Sequence, residues 1–204
     1  MKTMNRISSK RGRPRPVVAV LIAWMLGTLT ACATATAPPP IAAPPAPHSP
    51  LSVLPTNGIS LVVYKEARTL AVYRGGRMFK RYPVVLGQQP RGSKRFEGDM
   101  RTPEGLYRVN AKQRHRRWAY FISFDYPNED DRRAYARAST DGSLPEIAGA
   151  RPSIGGALGI HGSDRAPEQH AGIDWTKGCV ALRSEHVAEL YSLVDIGTPV
   201  LLLP

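Results

Sequence analysis

Cysteine is scarce: the 204 residues contain Cys32 and Cys179 and no other. Two thiols cannot build the disulfide framework of a small secreted domain. The close Cys and His spacings of a zinc site do not occur either, so a metal site built from His161, His170 and Cys179 is not expected. Acid is in short supply, 16 Asp and Glu against 28 Lys and Arg, for a formal charge of +12. No repeat divides the chain, and the apolar run Val17 to Leu29 falls short of the roughly 20 residues that a membrane-spanning helix needs.

Much of the excess base sits at the front. Residues Met1 to Ala31 hold six Lys or Arg and no acid, so a chain cleaved after Ala31 carries +6 rather than +12. A basic start followed by a short apolar run reads as an export signal, 1–31. Its end, Leu29-Thr30-Ala31-Cys32, resembles the lipobox of bacterial lipoproteins, in which the Cys is lipidated. Ordinary cleavage in the Ala-rich stretch beyond is the alternative. Ala33 is not the Asp of inner-membrane retention, which points to the outer membrane. Residues 32–57, rich in Ala and Pro, bury too little to fold and favour extended polyproline II, as befits a tether. A lipid on Cys32 leaves Cys179 without a disulfide partner. A lone thiol in an oxidising compartment asks for an explanation.

The remaining residues, 58–203, read as one mainly-β domain, a sandwich or barrel with one or two short helices. ISLVVYK and TLAVYRGG alternate around a turn at Lys65 to Arg68. RMFKRYPVVLG reads as a third strand up to Gly87, GLYRVNAKQ and WAYFISFDY as two more, and PVLLLP as the last. A helix is expected at Ser184 to Val194, with Ser184 as its cap and Val187, Leu190, Tyr191 and Val194 on one face. Asp130 to Ala138 is a second helix candidate.

Cys179 lies in Trp175-Thr176-Lys177-Gly178-Cys179-Val180-Ala181-Leu182. A Cys among Val, Ala and Leu is by itself most often a small buried hydrophobe. Gly178 changes the setting, because it lets backbone amides approach a ligand, and such amides stabilise an oxyanion. A thiol at neutral pH needs an imidazole or backbone dipoles to ionise. Of five histidines, His48 is in the tether, His115 in a basic run, His170 in a polar loop and His186 on the solvent side of the expected helix. His161 alone follows a glycine-rich apolar approach, Ile154 to Ile160, that places it at the end of a strand.

Ile160-His161-Gly162 followed by Lys177-Gly178-Cys179 resembles the active-site signature of the YkuD, or L,D-transpeptidase catalytic, family. Tyr82 to Gly87 and Gly98-Asp99-Met100-Arg101-Thr102-Pro103-Glu104-Gly105-Leu106-Tyr107 are similar to further segments of that family. The resemblance implies a β-rich fold with Cys179 as nucleophile and His161 as general base and then acid. It makes the Gly162 carbonyl the orienter of the imidazole, and the N–H groups of Gly178 and Cys179 the oxyanion donors. The implied substrate is a peptidoglycan stem peptide, attacked at diaminopimelate with loss of D-alanine; no metal or organic cofactor is required. Lys177 and Ala181 stand where the commonest pattern has His and Arg. The run Asp174 to Leu182 instead resembles a D-W-T-x-G-C-x-A-L branch, some members of which look like hydrolases that detach wall-linked lipoprotein. Transfer, hydrolysis by a carboxypeptidase or amidase, and a non-catalytic wall-binding lipoprotein are the readings this leaves open.

Other features have bland readings. Lys177 either lowers the thiol pKa, binds a carboxylate or is an exposed loop lysine, and Trp175 packs under its loop. Thr102 to Tyr107 supports the fold. Arg114-His115-Arg116-Arg117-Trp118 invites a nucleic-acid reading, but the acids at 129–131 and the export signal argue against one, leaving a solvated strand edge.

Overall fold

The computed structural model describes residues 50–163 and 173–204. The expected signal, Cys32 and most of the expected tether lie outside the described residues, as do His48 and His170. The elements are β1 (Ile59–Tyr64), β2 (Thr69–Arg74), β3 (Arg77–Pro83), β4 (Gly105–His115), β5 (Ala119–Phe124), α1 (Glu129–Thr140), β6 (Gly159–His161), β7 (Val180–Ala181), α2 (Ser184–Leu193) and β8 (Pro199–Leu203). The strands form one sheet in the order β3-β2-β1-β8-β4-β5-β6-β7, with β1/β8 and β6/β7 parallel and the other pairs antiparallel. The fold is mainly β, with two helices.

The third strand is shorter than its apolar run suggests. β3 ends at Pro83, and the chain then changes partners: Val85 bridges Ala181 and Gly87 bridges Thr176. This exchange links the segment after β3 to the region of β7 at the far end of the sheet order, so the sheet curls around its core.

Period-two alternation sorts the strands into two clusters. Leu61, Val63, Leu70, Val72, Val200 and Leu202 point into the main core, against Val187, Leu190 and Val194 of the α2 region. Val62, Ala71, Tyr73 and Leu201 face the other way, and Leu51 and Leu54 pack on them. Leu51 belongs to a 3-10 turn at Pro50–Val53. The described fold therefore starts ahead of Gly58, because the end of the expected tether covers the second face of β1 and β2.

Helix α1 is longer than its apolar pattern suggests because its start is fixed by polar groups. Asn128 and Asp131 form a reciprocal capping box, and Glu129, Asp130 and Asp131 suit the positive end of the helix dipole. In α2 the N-cap is Arg183, with no side-chain cap, and not Ser184. The Ser184 hydroxyl instead donates to Ser163 O at 2.7 Å, tying the helix to the chain after β6. His186 is half-buried rather than solvent-facing, its ring 5.2 Å from that of Tyr82.

Candidate active site

The turn that carries Cys179 is built around Thr176, which is buried. Its hydroxyl donates to Cys179 O at 2.7 Å and accepts the Gly178 N–H at 3.1 Å. Gly178 adopts φ +132°, and a Cβ there would fall 2.6 Å from Arg101 O, so only glycine fits. Upstream, the Asp174 carboxylate accepts from Arg68 Nε (3.0 Å), Arg68 Nη2 (2.7 Å) and the Leu86 N–H (2.8 Å). This clamp fixes the entry of the turn to the β1–β2 corner and to the segment after β3.

The turn changes one expected role. With its N–H given to Thr176, Gly178 is not poised as an oxyanion donor. The Cys179 N–H has no hydrogen-bond acceptor among the described residues and is the donor that remains.

Cys179 is half-buried and unbridged. Burial pushes its thiol above the ordinary value, opposed by the nearby Gly159 backbone and by the charge of Lys94. The sulfur opens onto a cleft of about 290 Å³ whose lining includes Lys94, Met100, Ala157 and Lys177. Met100 (φ 56°) and Ala157 (φ 53°) hold left-handed backbone without being glycine. Such strain persists only where surrounding structure imposes it, and it gathers at functional sites. Lys177 is exposed, whereas the Lys94 side chain is 4% exposed and paired with Asp99 at 2.9 Å. Asp99 also accepts the N–H groups of Arg95, Phe96 and Arg101, which shapes the loop under the cleft.

His161 ends β6 and is 2% exposed. Its Nδ1 lies 2.6 Å from Gly162 O. A carbonyl only accepts, so Nδ1 carries a proton, and in the neutral imidazole this leaves the lone pair on Nε2, the tautomer a general base requires. Aromatic rings surround the imidazole: Trp118 at 4.3 Å, Phe121 at 6.0 Å and, edge-on, Trp175 at 5.9 Å. Trp175 thus packs beneath its loop against the histidine.

Strand pairing relates the two residues. In the parallel β6–β7 ladder Ile160 is opposite Val180 and His161 opposite Ala181, so one step back sets Gly159 opposite Cys179. Side chains alternate faces, which puts His161 and Cys179 on the same face as diagonal neighbours. Gly159 leaves that face open to the Phe121 ring, since a Cβ there would fall 2.7 Å from its Cε1. An oriented imidazole, a thiol and a free amide so arranged can perform acyl transfer through a thioester.

The model of the L,D-transpeptidase catalytic domain (YkuD) matches residues 58–202. The chain belongs to that family. Among similar solved structures, the helical cell shape determining protein Pgp2 from Campylobacter jejuni has the same fold (22% identity, TM-score 0.51, covering 72% of this chain and 47% of that one). The chain is also similar to the C442S mutant of Enterococcus faecium L,D-transpeptidase (18% identity, TM-score 0.48, covering 72% of this chain and 50% of that one). The chain spans about half the length of these structures. No curated protein matches it.

Within this L,D-transpeptidase domain the D-x-x-T-P-x-G-x-Y segment is structural in detail. Thr102 Oγ1 accepts the Gly87 N–H at 3.0 Å, and Tyr107 donates to Asp131 at 3.0 Å. The buried Lys65 ammonium binds Gly92 O, Thr102 O and Glu104 from the opposite side. Three features drew no expectation from the sequence: the Lys94–Asp99 pair, the Arg68–Asp174 clamp and the seat of His161 on Trp118. Their partners are five or more residues apart, up to 106 between Arg68 and Asp174. Asp99 and Asp174 lie in the D-x-x-T-P and D-W-T runs and His161 in the His-Gly signature, but no local pattern marks their partners Lys94, Arg68 and Trp118. Among the described residues no group of three or more His, Cys, Asp or Glu is arranged to hold a metal ion.

Proposed function

We propose that this domain is a cysteine acyltransferase of peptidoglycan stem peptides. His161 Nε2 takes the Cys179 proton, and the sulfur attacks the carbonyl of the diaminopimelate residue that precedes terminal D-alanine. The Cys179 N–H holds the oxyanion. Collapse returns the proton to the leaving D-alanine amine and leaves a Cys179 thioester. An amine acceptor, activated by His161, then completes a cross-link or a protein attachment. The observation that supports the reading is the β6–β7 register, which continued by one residue sets Cys179 diagonal to His161 on one face, with the Gly162 carbonyl against His161 Nδ1.

Water in place of the amine makes the same site an L,D-carboxypeptidase or an amidase. The D-W-T-K-G-C-V-A-L run, with Lys177 and Ala181 in place of His and Arg, favours keeping this second reading, for which a wall-attached lipoprotein is the partner class. Pgp2 is described as determining helical cell shape, and wall remodelling is the corresponding proposal for this chain. Export to the periplasm and a lipid anchor at Cys32, in the outer membrane, are proposed from the leader alone.

The test is intact-mass spectrometry of residues 33–204 incubated with a wall tetrapeptide or a carbapenem, beside Cys179→Ala. A mass increase lost in the variant supports the acyl-enzyme, and the products separate transfer from hydrolysis. Binding of wall peptides with no adduct and no turnover would instead make the domain a non-catalytic wall-binding module.

A further inference from the structure

We propose that Trp118 is the positioning residue of the His161 imidazole, so that the turn from His115 to Ala119 serves the active site. The inference rests on the His161–Cys179 reading above. The hydrogen bond from Nδ1 to Gly162 O sets the tautomer and holds one edge of the ring, but a bond in the ring plane does not by itself fix the tilt of the ring about it. Contact with a face removes that freedom. Trp118 supplies it, with centroids 4.3 Å apart and planes 23° apart; Phe121 at 6.0 Å and Trp175 at 5.9 Å are more distant.

The Trp118 backbone acts on the same unit. Trp118 O accepts the Gly162 N–H at 3.1 Å, so the residue that bears on the ring also holds the residue whose carbonyl takes the Nδ1 proton. A Cβ on Gly162 would fall 2.4 Å from Trp118 O, so the approach is as close as glycine allows. The indole is braced in turn. His115 stacks on it at 4.4 Å and 16°, and His115 Nδ1 accepts the N–H groups of Arg117 and Trp118, both at 3.2 Å. Ala119, next in the chain, is held at φ 59°, and the Tyr120 N–H closes back on Trp118 O at 2.6 Å.

Trp118 is half-buried and is not among the residues of the main core, so its ring contacts are with His115, Phe121 and His161. Arg114, Arg116 and Arg117 stay exposed. In the run R-H-R-R-W the arginines are therefore exposed, while Trp118 stacks on His161 and His115 stacks on Trp118. The solvated-edge reading holds for the arginines and fails for His115 and Trp118.

The experiment is steady-state turnover of a wall tetrapeptide by the protein and its Trp118→Leu and Trp118→Phe variants, each also in a His161→Ala background. A displacement of about 1 Å at a reacting atom costs on the order of 10²-fold. Trp118→Leu is expected to lower kcat by roughly 10- to 100-fold with KM changed by less than about threefold. Trp118→Phe, which keeps a flat face, restores most of the loss, and in the His161→Ala background Trp118→Leu has no further effect. A wild-type kcat in Trp118→Leu, an equal loss in the Phe and Leu variants, or an undiminished loss in the His161→Ala background overturns the inference. Should the Leu variant not fold, Trp118→Met against Trp118→Phe makes the same comparison. If Cys179→Ala turns over normally, the acyltransferase reading itself fails; if that variant is dead while Trp118→Leu is fully active, only the role of Trp118 falls.

Discussion

Asp174→Ala removes a carboxylate that is 7% exposed and leaves three donors behind, two on Arg68 and the Leu86 N–H. Hydrogen bonds to charged groups contribute about 1.5–3 kcal/mol each, but they share one carboxylate and do not add. Breaking a buried ion pair costs roughly 3–5 kcal/mol. The Arg68 side chain is 33% exposed, so water recovers part of its solvation, and the loss falls at the low end, about 3 kcal/mol. For a domain of this size that lowers Tm by roughly 6–12 °C. Activity suffers as well, because Asp174 sets the entry of the turn that ends in Cys179, and kcat should fall roughly 10- to 100-fold. Asp174→Asn keeps an acceptor for Leu86 but not the charge, and about half of the stability loss is expected. Thermal unfolding followed by circular dichroism, with tetrapeptide turnover on the same samples, decides the matter. A Tm within about 2 °C of wild type together with an unchanged kcat would refute the clamp.

Three further predictions concern the same region. Gly162→Ala places a Cβ 2.4 Å from Trp118 O and 2.9 Å from Val187, so turnover should drop by at least about tenfold with a lower Tm; unchanged values contradict the close packing. Burial raises the Asp99 carboxyl, but the N–H groups of Arg95 and Arg101 and the Lys94 ammonium outweigh it and hold the group below its ordinary 3.8. Its contribution is therefore present above about pH 4 and lost as pH falls through the lowered value. Lys94→Met should move the acid-unfolding midpoint upward, and a midpoint that stays put counts against the pair. Burial likewise lifts the Cys179 thiol above its ordinary 9.0. Alkylation by iodoacetamide should then be slow at neutral pH and still be rising beyond about pH 9. A rate already flat by pH 7 would show that the resting thiol is ionised.

The sequence by itself determined the elements whose signals are local. Alternation in β1, β2 and β8 assigns faces because successive side chains point oppositely whatever the partner strand. The apolar stripe at 187, 190, 191 and 194 marks α2 for the equivalent reason at a period of 3.6. His161, Gly162, Gly178 and Cys179 were legible as types, since only a few residues supply a thiol nucleophile, a base near neutral pH and an unhindered backbone. Tertiary structure decided what these groups do together. The exchange of partners after Pro83 closes the sheet, the β6–β7 register sets imidazole and thiol on one face, and Thr176 claims the Gly178 N–H. The helix cap at Arg183, the clamp from Arg68 and the seat of His161 on Trp118 likewise depend on neighbours brought together by folding. Hydrogen bonds and ring contacts act over a few ångströms, and the chain distances they join here reach 106 residues, so no local window of sequence contains them.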